Sequence, residues 1–368
     1  MIAWFRTTTG QRRSFTVESR MNRADFTGGQ KWTATRAFTL IELLVVISII
    51  AVLISIIMPA ISGSRKHGMA VTCATHLHDV GQAMASYLAD NNGVYPPSYI
   101  YPYDGDGNYD LLNQPNDHPY GYIHWSWYLY NKGQVSDDVF KCPAMTHGGL
   151  PRTNPGPSDW EPGQQDQDGN TSPSGTAIMD KQAPRIAYTG NAAIFPRNKF
   201  TKLLSGGPRV NVLVPETRIH DPGRVVLMTE WVDNWKAIGI GAEGGETVKS
   251  HRPVNPFGHV ATGTNEYAAP EALPGFSYGP PPDFGLLPLQ EVEARANLVD
   301  DMGTMETNAV GRHHPGGKGR RMGGAVNWLY VDLHVEKKAI LETVQNHEWG
   351  NTYYSISGKN KVGPPWDG

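Results

Sequence analysis

From Leu43 to Met58 every residue is apolar except Ser48 and Ser55. Both serines are tolerated in a membrane helix because their hydroxyls bond to the preceding turn. Counted from Phe38 to Ile61, the segment has roughly 24 residues, about 36 Å as a helix and enough to cross a ~30 Å hydrocarbon core. One acid, Glu42, stands near its start. A carboxylate in a bilayer costs several kcal/mol unless something pairs with it, so an intramembrane acid is a functional candidate by default.

The stretch before Phe38 is basic: Arg6, Arg12, Arg13, Arg20, Arg23, Lys31 and Arg36 stand against Glu18 and Asp25. That excess predicts a cytoplasmic N-terminus, with everything after the helix exported to the periplasm or beyond. An ordinary secretory signal peptide would be cut after its apolar stretch. Here the apolar run is too long, and Ile-Ser-Gly-Ser-Arg-Lys is a weak substitute for an Ala-x-Ala site. Met21 is a second start that would give a shorter leader.

The junction Ala37-Phe38, followed by Thr-Leu-Ile-Glu42 and the apolar run, resembles the processing and assembly segment of type IV prepilins and type II secretion pseudopilins. The resemblance implies that a dedicated peptidase cuts between Ala37 and Phe38 and methylates the new N-terminus. It implies three partners: the prepilin peptidase/methylase, other pilin or pseudopilin subunits, and an inner-membrane assembly platform. Glu42 would then neutralise the terminal ammonium of a neighbouring copy's Phe38.

Beyond Pro59, which would bend the helix at the bilayer exit, Leu77, Val80, Met84 and Leu88 recur at three- and four-residue steps. That spacing predicts an amphipathic continuation with one buried face, stopped by Asp90-Asn91-Asn92-Gly93. The expected layout is a leader over 1–37, a membrane part over 38–61, an exported helical part over 62–92 and a head over 93–368. The net charge of -3 indicates no nucleic-acid partner. With 41 Gly and 28 Pro, the head should consist of strands joined by many turns.

Cys73 and Cys142 are the only cysteines. In an exported chain an even pair is most simply a disulfide; the alternatives are two buried thiols, or a metal site for which neither has a Cys or His at the spacing of a zinc motif.

Further islands narrow the resemblance. Cys73, Leu77, Val80-Gly-Gln-Ala83, Tyr87, Asn91, Gly93, Tyr95-Pro-Pro97 and Val139-Phe-Lys-Cys-Pro143 are similar to elements of G-type pseudopilins and of the large prepilin-like proteins of planctomycete-type bacteria. Tyr188-Thr-Gly-Asn191 and Pro222 to Glu230, where an apolar strand ends in an acid, resemble their central motifs. Asn327 to Glu336 resembles their His-x9-Asp-Gly element. It departs from it in carrying Leu333 in place of Gly and in an insertion, Pro315 to Gly324, that separates His313-His314 from Asp332.

Arg224 to Thr229 reads as a strand after a turn, and Ala325 to Glu336 as a hairpin reversing at Asp332-Leu333-His334. The fold class is therefore α+β: a long N-terminal helix packed on an antiparallel sheet with large loop insertions. Residues 145–185 and 241–290 read as loops.

Asp104, Asp106, Asn108 and Asp110 alternate as calcium ligands do, and some G-type pseudopilins bind calcium. However, Pro115 replaces the twelfth-position Glu of an EF-hand, so a solvated turn is the expected reading; Asp166-Gln-Asp168-Gly-Asn170 is similar. No cofactor is expected. His313, His314 and His334 with Asp332 could ligate a transition metal, and are expected instead to be surface and turn histidines. Gly316 to Arg321 lacks the spacing of a phosphate loop. No constellation for nucleophilic, metal-hydrolytic or paired-acid catalysis is present, so the chain reads as a structural subunit rather than an enzyme. The alternative is an extracellular binding or adhesion module on a pilin-type anchor.

Overall fold

The computed structural model describes residues 38–364 except 116, 132, 174–176, 205–206, 243–244, 259–274, 299–305 and 318–321. The leader over 1–37, with Ala37, and the basic part of the Gly316–Arg321 loop lie outside the described residues. One helix, α1 (Leu40–Asp90), opens the described chain and runs through Pro59. The chain divides into two compact units between Ile57 and Met58.

In the first unit the apolar side chains of α1 are exposed, Leu40 by 81% and Ile41 by 75%. Ser48 Oγ donates to the Leu44 carbonyl and Ser55 Oγ to that of Val52, so neither hydroxyl needs water. This is a helix long and apolar enough to cross a membrane.

In the second unit the same helix turns amphipathic. Ala70, Cys73, Leu77, Val80, Gly81, Met84, Tyr87 and Leu88 are buried, at the spacing of one helical face. Asn92 and Gly93 end it in left-handed conformation (φ 56° and 70°), and the Gly93 amide donates to the Leu88 carbonyl.

That face packs on a four-stranded sheet of β1 (Tyr188–Gly190), β2 (Val226–Glu230), β3 (Val326–Tyr330) and β4 (Val335–Lys338), in spatial order 4-3-2-1 with every neighbour antiparallel. Alternation along β3 sets its two faces. Asn327 and Leu329 meet the helix, while Trp328 stacks edge-on against Trp349, with ring centroids 5.5 Å apart. A Cβ on Gly81 would come within 3.0 Å of Leu329 Cδ1, so glycine here lets helix and sheet approach closely. The turn into β4 places Leu333 at φ 74°, the conformation for which Gly is usual.

The long helix, the β2 strand and the β3–β4 hairpin occur where the sequence patterns put them, and the fold is α+β. The two supposed loops differ from expectation. Gln164–Gln165 pairs in parallel with Glu246–Thr247, which pairs in turn with Ile240–Gly241; Leu150–Pro151 pairs with Arg185–Ile186. The strands at Leu150–Pro151, Gln164–Gln165 and Arg185–Ile186 have two residues each and carry no readable alternation, and their pairing partners lie far along the chain.

Candidate functional site

Two acids lie at opposite extremes of burial. At the start of α1, Thr39 and Glu42 form a reciprocal cap. The Thr39 amide and hydroxyl both donate to Glu42 Oε2 at 2.9 Å, and the Glu42 amide donates to Thr39 Oγ1 at 3.2 Å. This Thr-x-x-Glu capping box satisfies amide donors that every helix start leaves open. It also gives Glu42 a local role that the sequence reading did not assign. Phe38 and Glu42 are both exposed, with the carboxylate held at the head of the apolar segment.

The second acid, Glu230, ends β2 and is fully buried. Strand order dictates its company. β1 and β3 flank β2, so Tyr188 and Asn327 share its helix-facing side. Asn327 Nδ2 donates to Glu230 Oε1 at 2.9 Å and to the Ala70 carbonyl of α1 at 3.1 Å. The Tyr188 hydroxyl donates to the Cys73 carbonyl at 2.9 Å. The strand thus delivers a carboxylate beneath the helix at the level of Cys73.

Histidines close the other side. His314 bridges to Ala325 through a pair of backbone bonds. Its Nε2 lies 2.9 Å from Glu230 Oε2, and His313 Nε2 lies 3.2 Å from the same oxygen. Burial pushes the Glu230 carboxyl up, but hydrogen bonds and charge from His313 and His314 outweigh it and hold it at about 2. The Nδ1 atoms of both rings are buried without a hydrogen-bond partner among the described residues.

Cys73 and Cys142 are joined by a disulfide against this cluster. Cys142 Sγ stands 3.7 Å from His313 Nε2 and 3.9 Å from His314 Nε2. Cys142 reaches the helix on a turn capped by Ser136, and the nearby Lys141 carbonyl meets His76 Nδ1 at 2.8 Å. One sulfur pair, two imidazoles and a carboxylate thus converge from four separate parts of the chain.

The histidine expectation is corrected in part. His314 is 2% exposed and His313 is largely enclosed, because the β2 carboxylate draws both inward. His334 is the exposed one, paired with Asp332 in the hairpin turn, and is not a member of the cluster. Nothing in local sequence marks a partnership between residues 73, 142, 230 and 313–314. The usable signals were an acid closing an apolar strand and a doubled histidine.

The Asp104 to Asp110 segment is a chain of self-capped turns. Asp104 accepts from the amides of Gly107 and Asn108 and from Asn108 Nδ2, and Asp110 from the Leu112 amide and Asn113 Nδ2. Asp166 does the same with Asp168 and Asn170. Among the described residues, the group whose donor atoms gather as a metal site would need is Cys73, Cys142, Glu230 and His314.

Comparison with known proteins bears on the first site. Residues 32–58 match the prokaryotic N-terminal methylation motif. The type IV wide pilus major component PilA4 of Thermus thermophilus is 39% identical over 57 residues, which are 16% of this chain and 44% of that protein. The match therefore spans less than half the length of that relative. No solved structure matches the chain. The chain carries a prepilin-type methylation motif at the head of a membrane-length helix and is similar, over a short stretch, to a pilus subunit.

Proposed function

We propose that the chain is a structural subunit of a pilus or type II secretion pseudopilus, cleaved between Ala37 and Phe38 and methylated at Phe38 by a prepilin peptidase. The observation that carries this reading is the match of residues 32–58 to the methylation motif, on a helix whose apolar surface is left uncovered by the described residues of its own chain. Before assembly the helix rests in the inner membrane, its N-terminus on the cytoplasmic side and residues 62–368 exported. The inner-membrane assembly platform then extracts it, and helices of neighbouring copies cover one another.

Within that packing, Glu42 takes the terminal ammonium of an adjoining Phe38. Two opposite charges that must both enter hydrocarbon attract strongly at short range. The capping box supports the idea: it holds the carboxylate four residues from the new N-terminus, at the helix end where an incoming amine arrives. Pro59 removes one backbone hydrogen bond near the membrane exit, where a subunit entering a filament must adjust its axis. The islands that resemble G-type pseudopilins and the large planctomycete-type prepilin-like proteins favour that branch.

Glu42→Gln tests this. The variant should reach the membrane at wild-type level and enter sheared filaments at a tenth of wild-type level or less. Equal incorporation would remove the ion-pair reading.

A further inference from the structure

We propose that Cys73, Cys142, Glu230 and His314 form a binding site for one zinc-class divalent ion when the two sulfurs are thiols, so that the metal and the disulfide are alternative occupants of the same centre. The site is independent of the assembly role proposed for the N-terminal helix.

Donor chemistry and spacing carry it. Thiolate and imidazole are the donors that favour zinc over harder cations. All four side chains are buried, and their donor atoms lie within 4.8 Å of one another. Tetrahedral zinc, with Zn–N ~2.0–2.1 Å and Zn–S ~2.3 Å, sets ligand atoms roughly 3.3–3.8 Å apart. The cluster has its sulfur–nitrogen edge at 3.9 Å and its nitrogen–oxygen edge at 2.9 Å. The two sulfurs are too close, because they are bonded to each other; opening that bond lets them part to the same spacing.

The surroundings are those of a built site. Glu230 is held by Asn327, which is itself tied to the Ala70 carbonyl, so the carboxylate cannot swing away. His314 is fixed by backbone pairing with Ala325. His313 Nε2, 3.2 Å from the same carboxylate oxygen, is placed to orient it. Among the described residues, the two imidazoles are the groups that can bring positive charge to this buried carboxylate, and a divalent ion supplies that charge more completely.

The two states interconvert by balanced chemistry. A newly made chain carries both sulfurs as thiols. Zinc binding displaces the two thiol protons. Closure of the two zinc-bound thiolates to the disulfide passes two electrons to an external disulfide, which takes two protons from solvent and leaves as two thiols, and the ion is released.

The test uses the full chain in detergent. The bond is opened with a water-soluble phosphine, which takes an oxygen from water as it is oxidised, and cobalt(II) or zinc(II) is added without oxygen. The reduced chain should bind one ion, show the visible bands and sulfur charge-transfer of tetrahedral cobalt thiolate, and melt at higher temperature with zinc than without. The disulfide form should bind at least tenfold less. His314→Ala and Glu230→Gln should weaken reduced-state binding at least tenfold, whereas His334→Ala should not. A reduced chain lacking the tetrahedral spectrum, or keeping it undiminished in His314→Ala, would overturn the site. Should reduction unfold the chain, zinc must restore near-ultraviolet dichroism; identical spectra with and without zinc also overturn it.

Discussion

One helix in this molecule is stabilised in two different ways. Over Leu40–Ile57 its apolar side chains are exposed and its order rests on internal hydrogen bonds and the Thr39–Glu42 cap. Over Ala70–Leu88 it is held by a buried face against the sheet and by the Cys73–Cys142 bond. The same apolar residue types therefore mean different things. In the first stretch they form an exposed apolar surface, long enough to cross a membrane. In the second they are core, where each methylene contributes to stability.

Breaking the disulfide should show the largest effect on the second region. Its cysteines are 69 residues apart, and a loop of that size is worth about 4 kcal/mol in the chain-entropy model. Cys142→Ser, unfolded in urea in detergent without added metal, should lose about that much; an unchanged midpoint would mean that packing alone holds the helix.

Next, Leu77→Ala, at a fully buried position, should cost about 3 kcal/mol through the cavity it leaves. Leu53→Ala, on the exposed stretch, should leave the urea midpoint of the head within about 0.5 kcal/mol of wild type. Equal losses at the two positions would erase the distinction between the halves.

Acid gives a smaller effect, specific to the head. Burial holds His124 down at about 3. His251 lies well below the ordinary histidine value, first through burial and then through the nearby positive charges of Lys249 and Arg252. The unfolded chain therefore takes up protons near pH ~6.5 that the folded chain refuses.

The sign follows from those lowered values. The contribution of both histidines is full above pH ~6.5 and falls as the pH drops below it. Asp180, pushed up to about 6 by burial, works the other way, because the folded chain protonates it first. The net loss between pH ~6.5 and ~5.5 should be about 1–2 kcal/mol. His124→Gln should make the slope shallower by about one proton; an unchanged slope would show that His124 is not held neutral.

The smallest effect belongs to the first region. Thr39→Ala removes one half of the capping box and should cost about 1 kcal/mol of local helix stability. It should appear as faster amide exchange over residues 40–43 with no change in the head. Exchange that also quickened near Leu77 would join the two regions energetically.

These contrasts explain what could be read from the sequence. The membrane-length helix, its amphipathic continuation and the hairpin at Asp332–His334 are local patterns with a period, so neighbouring residues suffice to reveal them. Glu42 stands out in the same way, because an acid in an apolar run is a local anomaly, whereas its cap with Thr39 was not assigned from the sequence. The Glu230 centre was not, because its members are brought together only by the antiparallel order of β1, β2 and β3. His313 and His314 sit in a glycine-rich stretch that reads as surface, and only a carboxylate from another strand draws them inward. The paired segments within 145–185 escaped notice because two-residue strands have no alternation to read, and Gly245–Val248 because the side chains of its four residues do not alternate apolar with polar.

The most direct test of the account is the N-terminus of the mature protein, read by sequencing and by intact mass. The account predicts a chain that begins at Phe38 and carries one added methyl group. A mature chain that keeps its leader, or begins at any other residue, would contradict it.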